Sequence, residues 1–488
     1  MGKLYGTWTR MVASAIGVFA PGAAINYMRR RQALHSYAAA SNAGPNKAWL
    51  PSNKSADELI KTDHKLMRAR ARSLTRDSSH VSGAIRKICN NVVFKGIHPQ
   101  ANLRTLNGDA KDRLNSRAES QWKKWAKAVD FHEKENLVLR HWWHDGELFA
   151  HYYFDEDLLR KGIIPLGLEL LECDHLDAGK SSLTDGERIK QGIQYTANGK
   201  TDGYWLFREH PGDNTWLTMN RSQFYSAQMI NHLFIRERIS QNRGVSWLAS
   251  IIMEMRDFSE YQNAERIAKR LVAAFGLFVT TPYPENLGSF NPFGGDGKPL
   301  TVDSIPDYME SGRIQILPPG MTVESPSSDR PGATYEPYTK TSLRGASTGF
   351  NMSYEAYSND YTDASYSSAR SATLEERRGY QVQQFLLANK FHQDAWERLW
   401  LMNRLSRTED LPEEIPVVWQ MPGWPWVDPF KDSKAAEQDL KNGLTSRHKL
   451  CMERGIDYDE INNDLQRERA DVFSLNTQTG GNDNAGTD

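Results

Sequence analysis

The 488-residue chain has few cysteines, no long apolar run and no excess of charge of one sign. Its three cysteines, Cys89, Cys173 and Cys451, are scattered and odd in number. This argues against a disulfide framework or a CxxC metal site and is typical of a reducing compartment. No apolar run approaches the roughly 20 residues that span a bilayer, so we expect no membrane partner. The formal net charge of −1 excludes the overall basic character of many nucleic-acid binders.

What the chain does have is a large aromatic content, with 14 Trp and 19 Tyr, which favours extensive packed interfaces. The apolar residues 11–24 imitate a signal peptide, but Gly17 and Pro21 interrupt them. We therefore interpret residues 1–30 as a flexible or docking arm.

Residues 31–242 predict a mixed α+β region. Helical periodicity precedes residue 93, and the later alternation predicts strands at 148–154 and 166–171. Asn198–Gly199 marks a hairpin turn. A basic run on the first helix is interpreted as a solvated face, with phosphate contact as the alternative; it consists of Lys65, Arg68, Arg70, Arg72 and Arg76.

Two predicted helices, 243–275 and 336–350, flank a Pro- and Gly-rich insertion at 276–335. Gly345 and Gly349 would let the second helix pack closely or end early. Charged side chains away from the apolar stripe of the first helix are Glu254, Glu260, Glu265 and Lys269.

An acidic, tyrosine-rich loop at 351–367 then leads into a long helix within 368–432, where Gly379 predicts a kink or register break. The stretch from 417 to 426 predicts a strand and a Pro-rich turn. Residues 433–473 predict a helical pair broken at Gly443 and Gly455, and 474–488 lack apolar residues and are predicted to be disordered.

One candidate metal site is the cluster of His141, His144 and Glu147. Histidine and carboxylate ligands suit Zn or Fe. However, the order of these residues is not HExxH, and we expect the segment to enter a strand, where neighbouring side chains point to opposite faces. The consecutive Cys173, Asp174 and His175 are better explained as a turn at a strand end than as a catalytic triad.

The order of several short motifs resembles the lambda family of tailed-bacteriophage portal proteins over some 400 residues. None of the motifs is specific alone; they are RARARSLTR at 68–76, LECDH at 171–175, HPGD at 210–213, HLF at 232–234, QNRGVSWL at 241–248, LPPG at 317–320, SYE at 353–355, YSSAR at 366–370, WVDP at 426–429 and GLTSR at 443–447. A departure lies at 93–97, where a Gly-containing VVGxGI pattern is expected.

The resemblance implies a portal fold with a helical stem, an α/β wing, a small clip insertion and a C-terminal helical crown. Residues 31–242 and 368–432 would be wing, 243–275 and 336–350 stem, 276–335 clip, 351–367 tunnel loop and 433–473 crown. It also implies a dodecameric ring at one capsid vertex, through which double-stranded DNA is packaged and ejected.

The partners implied are further copies of the chain, double-stranded DNA without sequence preference, the terminase large subunit, head-completion and connector proteins, and the major capsid and scaffold proteins. The implied location is the virion, after assembly in the host cytoplasm. A metal-dependent hydrolase and a non-channel capsid or scaffold protein remain as alternatives.

The tunnel loop is the predicted DNA-facing site. Its acidic residues would repel phosphate and its tyrosines would act as rigid bumpers, so that DNA slides without being gripped. The residues concerned are Tyr354, Glu355, Tyr357, Asp360, Tyr361, Asp363 and Tyr366. We expect no catalytic residue, no metal and no cofactor.

Overall fold

A computed structural model describes residues 51–104, 111–184, 187–213, 221–274, 278–280, 322–324, 335–412 and 414–479. The chain divides into two compact units, 1–59 and 60–488. Of the first unit only residues 51–59 are described, and they include the first residues of helix α1. The features below belong to the second unit.

The N-terminal part of the wing is helical, as its periodicity predicts. Helix α2 begins after an N-cap, Ser78, and buries Val81, Ile85, Ile88 and Val92 at three- and four-residue spacing. The elements up to the first sheet are α1 (Ala56–Asp77), α2 (Ser79–Val92), β1 (His98–Ala101), α3 (Asp112–Ala128) and α4 (Phe131–His144).

Two antiparallel sheets follow. Strand β2 (Glu147–Phe154) is followed by α5 (Glu156–Arg160) and β3 (Leu166–Glu172). The five-stranded sheet runs in the order β4 to β8, and β9 returns to pair with β2, which gives a three-stranded sheet in the order β3-β2-β9. These later strands are β4 (Ser182–Thr184), β5 (Glu187–Lys190), β6 (Ile193–Tyr195), β7 (Thr201–Phe207), β8 (Ser222–Ser226) and β9 (Ile230–Phe234). The predicted hairpin is present, with Gly199 at φ +78°.

Helix α6 spans Ile252–Ala274 and helix α7 spans Tyr335–Gly349. The prediction that the first helix begins near residue 245 is wrong, because Trp247 and Leu248 lie in turns that pack into the wing core. Between α6 and α7, strand β10 (Phe278–Thr280) pairs antiparallel with β11 (Thr322–Glu324).

The C-terminal third of the second unit is mostly helical. Its elements are α8 (Tyr354–Ser358), α9 (Tyr366–Leu387), a π-helical turn (Ala388–His392), α10 (Gln393–Ser406), β12 (Val417–Gln420), α11 (Pro429–Lys441), α12 (Arg447–Glu453) and α13 (Tyr458–Thr479). Strand β12 pairs with β1.

The last three helices correct two predictions. Gly443 (φ +71°) and Gly455 (φ +67°) separate three helices rather than two, in the left-handed conformation that glycine adopts most readily. Helix α13 continues to Thr479, although disorder was predicted from residue 474 onward. Among the described residues, no helix combines the length and apolar character needed to cross a membrane.

The main hydrophobic core joins α2, α3, α4, α9 and α10. Its centre is aromatic: Trp122 lies 5.0 Å from Trp125 and 5.5 Å from Trp396 between ring centroids, and Phe131 stacks on Phe391 at 4.8 Å. Aromatic rings bury large areas, so this cluster supplies much of the wing's packing free energy. The start of α6 and the short helix α8 pack against the same core through Ile252 and Tyr357, respectively.

Candidate functional site

Helices α6 and α7 form an antiparallel pair. Near the wing, a Cβ at Gly349 would lie 2.2 Å from Ile251 Cγ2, and one at Gly345 would lie 2.2 Å from Glu254 Oε1. Farther out, the ring of Tyr261 lies 4.4 Å from the ring of Tyr338. The two glycines therefore permit close helix contact, as the sequence predicts.

The antiparallel pairing places the end of α6 and the start of α7, between which the insertion lies in sequence, on the side of the helix pair away from the wing. Tyr261 stacks near Tyr335, the first residue of α7. Helix α6 runs on from Tyr261 to Ala274, about 20 Å farther at 1.5 Å per residue. Of the insertion itself, the structure describes only the β10–β11 pair.

The four charged residues predicted on other faces of α6 are not equivalent. Glu254, Glu260 and Lys269 are exposed, and Glu260 forms an ion pair with Arg256 at 2.9 Å. Glu265 is buried. Three of the four therefore remain available on the surface of this chain.

The predicted tunnel loop is partly ordered as helix α8. Ser353 caps the start of α8 through its hydroxyl, and Asn359 ends it in the left-handed conformation (φ 57°). Lys87 of α2 donates to the carbonyl of Ala356 and to Asn359 Oδ1. The backbone N–H of Ser353 donates to Glu376 Oε1 of α9 at 2.7 Å. The first half of the loop is therefore anchored to two helices.

Two of the loop's three carboxylates, those of Asp360 and Asp363, have partners within the chain. Thr362 donates to Asp360 through its hydroxyl and its N–H, and Tyr354 donates at 2.9 Å; these bonds hold the pKa of Asp360 at about 2. Asp363 accepts from Lys340 of α7 at 3.0 Å. The loop is therefore tied to the stem as well as to the wing, and Asp360 stays ionised at neutral pH.

The predicted tyrosine bumpers divide into two groups. Tyr361 and Tyr366 are 57% and 64% exposed, as a DNA-facing role requires. Tyr357 is only 5% exposed, stacks on Phe350 at 5.4 Å, and donates to Met255 Sδ. A bumper role for Tyr357 is therefore wrong in this chain: its ring fills the junction between loop and stem.

Helix α9 continues through Gly379, so the kink or register break predicted at this residue is wrong. The helix is irregular farther along the chain instead. A Cβ at Gly379 would lie 2.6 Å from Asn351 Nδ2. The absence of a side chain at Gly379 therefore makes room for the side chain of Asn351. The irregularity is the π turn at Ala388–His392, where the Nε2 atom of buried His392 hydrogen-bonds to the carboxylate of Glu135. One extra residue in the turn lets His392 reach this partner.

Sequence reasoning grouped His141 and His144 with Glu147, but the structure separates them. Both histidines lie in the last turn of α4, and the segment enters strand β2 at Glu147, as expected. Their Nδ1 atoms lie 2.7 and 3.0 Å from the carboxylate of buried Asp145. Arg72 donates to both oxygens of Asp145 at 2.7 and 2.8 Å. Because the guanidinium of Arg72 already binds both oxygens of the Asp145 carboxylate, these residues are better suited to an ion pair than to binding a metal ion.

Glu147 belongs to a second, fully buried group. Arg243 Nε donates to it at 2.7 Å, His232 Nε2 lies at 2.9 Å, and the N–H of Gly244 donates at 2.7 Å. Burial disfavours its charge, but the attraction of Arg243 and the bond from His232 outweigh burial and hold the pKa of Glu147 well below its usual range. This cluster ties β2 and β9 to the segment leading into the stem.

The basic run on α1 is only partly a solvated face. Arg68 is buried and pairs with Asp174 at 2.7 Å, while Arg72 pairs with Asp145, Asp174 and Glu172. Lys65, Arg70 and Arg76 are exposed, as predicted. Cys173–His175 forms a single 3-10 turn after β3, which confirms the interpretation as a strand-end turn.

Sequence reasoning missed the residues that hold the loop: Lys87, Lys340 and Glu376. None of them stands out in a periodic pattern, because each acts on a residue distant in sequence. The signal available was the absence of any Lys or Arg between Arg344 and Arg370, which implies that any cation for the loop comes from elsewhere.

These observations describe an α+β region, an antiparallel two-helix pair, and an anchored acidic loop between that pair and a long helix. The family model described as "Phage portal protein, lambda family" matches residues 43–384. The chain belongs to the lambda family of phage portal proteins, and its role is at the portal vertex of a phage particle.

Three curated relatives agree. The chain is 27% identical over 459 residues to a "Probable portal protein" of Halomonas phage phiHAP-1, covering 90% of this chain and 85% of that protein. It is 22% identical over 464 residues to the "Portal protein" of Escherichia phage N15 and 21% identical over 462 residues to "Portal protein B" of Escherichia phage lambda, covering 86% of each chain.

Among solved structures, similarity extends to two phage-like particle necks. "Neck of empty GTA particle computed with C6 symmetry" has a TM-score of 0.42 and 12% identity, covering 79% of this chain and 93% of that chain. "Neck of native GTA particle computed with C12 symmetry" has a TM-score of 0.39 and 10% identity, covering 81% and 99%.

Proposed function

We propose that copies of this chain assemble into a dodecameric ring around a channel for double-stranded DNA, and that residues 351–367 line the bore. The observation that carries the proposal is the anchoring of the loop. Lys87, Glu376 and Lys340 hold it to three different helices, while Tyr361 and Tyr366 stay exposed. An exposed surface on rigid supports is what a channel constriction needs.

The charge of the loop supports sliding rather than gripping. DNA carries one negative charge per about 1.7 Å, and contacts with Lys or Arg bind phosphate in a salt-dependent way. The loop offers Glu355, Asp360 and Asp363 and no cation of its own. Ring symmetry repeats these carboxylates around the bore, so they centre the duplex and act as a guide or as a valve against backsliding.

The remaining parts take the roles that the family implies. The 276–335 insertion is the proposed clip and docks the terminase large subunit, and later the head-completion and connector proteins. The helices after residue 433 form the proposed crown. Contacts with major capsid and scaffold proteins position the ring, which assembles in the host cytoplasm. We assign no catalytic residue.

Electron microscopy of the purified chain tests the ring. We expect a closed ring with a central hole and with residues 351–367 at its narrowest point. A sheet, a monomer, or a ring with this loop on its outer edge would overturn the proposal.

A packaging experiment tests the electrostatic role. We expect the triple variant Glu355→Gln, Asp360→Asn, Asp363→Asn to alter the length of packaged genome in assembled phage. A matched control removes three exposed carboxylates elsewhere in the wing: Glu133→Gln, Glu156→Gln, Asp157→Asn. Unaltered genome length in the loop variant, or an equal change in the control, would remove the electrostatic role.

A further inference from the structure

A cavity of about 290 Å³ is lined by residues of β6, β7, β9 and the π turn. Its buried lining residues include Ile193, Tyr204 and Ile230. Its exposed lining residues include Arg236, which follows β9, and Lys390, which lies in the π turn. The cavity therefore combines a buried wall with cationic side chains near solvent, and its volume is close to the lower end of small-molecule sites, roughly 300 Å³.

The charged side chains of this cavity are all cations. No described residue that lines it is acidic, and neither Arg236 nor Lys390 forms an ion pair with a described residue of the chain. The carboxylate of Glu147, which contacts His232 of the cavity wall, is already paired with Arg243. A cleft that carries charge of one sign between low-dielectric walls concentrates ions of the opposite sign. The cavity therefore attracts an anion.

The π turn brings Lys390 to the cavity. Such turns are rare and are frequently found at functional sites. Asn231 of β9, which also lines the cavity, donates to the carbonyl of Lys390 at 2.8 Å. At the end of the turn, buried His392 is bonded to Glu135. The backbone that carries this cation is therefore held by groups from outside its own helix.

The side chains of the cavity suit a phosphate group. The planar guanidinium of Arg binds two phosphate oxygens at once, and Lys binds phosphate as a point charge. The amide side chains of Asn231 and Asn242 lie on the same wall, and the ring of Tyr195 offers a face on which a base can stack. We infer that Arg236 and Lys390 bind a phosphate group in this cavity, either as free phosphate or as part of a mononucleotide. The site lies within one subunit and does not depend on the proposed ring.

Isothermal titration calorimetry of the purified full-length chain at fixed ionic strength tests the site. The probes are inorganic phosphate, adenosine monophosphate and, for comparison, acetate. We expect one phosphate to bind per chain, and acetate to bind about tenfold more weakly because it carries roughly half the charge. Phosphate should also raise the midpoint of thermal unfolding, since a ligand that binds only the folded chain stabilises it.

Two single variants locate the binding. Arg236→Gln and Lys390→Gln each remove one cation, and we expect each to weaken phosphate binding about tenfold because a hydrogen bond from a charged donor is lost. A matched control, Arg113→Gln with Lys124→Gln, removes two exposed cations from α3 and should bind phosphate as the unmodified chain does. All four side chains are exposed, so the variants should keep their fold, which circular dichroism verifies.

The outcomes are distinct. The inference is wrong if the unmodified chain binds no phosphate, if acetate binds as tightly, or if the two site variants bind phosphate as tightly as the unmodified chain. An equal loss in the control would show a general effect of surface charge and would also overturn it. Tighter binding of adenosine monophosphate than of phosphate would support the site with a nucleotide as ligand, and weaker binding would support it with free phosphate. Electron microscopy measures ring formation separately, so the failure of either proposal leaves the other standing.

Discussion

The wing and the tunnel loop use the same charged residue types under opposite conditions. In the wing, Glu147 and Arg243 pair in a fully buried cluster with no access to water. In the loop, Asp363 pairs with Lys340 at the surface. A buried carboxylate depends on its partner because the interior cannot solvate it, whereas an exposed one is solvated with or without a partner. Charge in the wing therefore supports the fold, whereas the fold does not depend on the charge of the loop.

The largest expected effect comes from breaking the buried pair. Arg243→Met leaves Glu147 buried without its cation, and we expect the free energy of unfolding in urea to fall by about 3–5 kcal/mol. The double variant Arg243→Met, Glu147→Met removes both charges and should recover most of this loss. A loss below about 1 kcal/mol in the single variant would show that the cluster is not important for stability.

The dependence of stability on pH also tests the effect of burial on a titrating group in the wing. Burial lowers the pKa of His64 to about 4 in the folded chain, against about 6.5 when unfolded. Between these values the unfolded chain binds the extra proton, so stability is full above pH 6.5 and falls as pH falls toward 4. The pKa difference corresponds to about 3 kcal/mol.

Urea titrations at pH 7, 5.5 and 4.5 measure this loss. The variant His64→Gln removes the titrating group and should flatten the pH dependence. An equally steep dependence in His64→Gln would assign the loss to other groups.

Gly345 and Gly349 of α7 test the contrast between an exposed and a buried contact within one helix pair. In Gly349→Ala the new Cβ meets Ile251, which is buried, so we expect a loss of about 1–3 kcal/mol. In Gly345→Ala it meets the exposed end of Glu254, which can move away. There the better helix propensity of Ala, up to about 1 kcal/mol, should leave stability unchanged or raised. Equal losses in thermal or urea unfolding would contradict this difference.

The smallest expected effect lies in the loop. Asp363→Asn removes one of the two carboxylates that pair with Lys340 at the surface, the other being Glu336. We expect unfolding to stay unchanged within measurement error because exposed ion pairs contribute little. Its effect should appear instead in packaging. A clear loss of stability would mean that the loop belongs to the folded core.

The helices and the central strands could be predicted because their signals are local. Apolar spacing gave α2 and β2, and Asn198–Gly199 gave the hairpin between β6 and β7. The start of α6 was predicted too early because Trp247 and Leu248 continue its apolar pattern while packing into the wing. Periodicity reports which residues are buried, but not which element buries them.

The site was predictable in position but not in detail. The acidic stretch after Phe350 was identified from composition, yet Tyr357 could not be distinguished from Tyr361 by sequence. The first faces Phe350 and Met255, and the second faces solvent. Likewise, the histidines of α4 bind Asp145 rather than Glu147, because Asp145 is the C-cap of α4 whereas Glu147 begins β2 and meets different partners.

By itself, the sequence determined the order of elements, the α+β class, the two helices around an insertion and the acidic character of the loop, since each depends on neighbours within a few residues. Tertiary structure alone decided which charges became buried pairs, which tyrosines stayed exposed, and that the long helix takes its extra residue at the π turn instead of at Gly379. These outcomes depend on partners such as Arg243, Glu135 and Asn351 that lie far away along the chain. Burial and pairing are properties of contacts, and folding brings those contacts together.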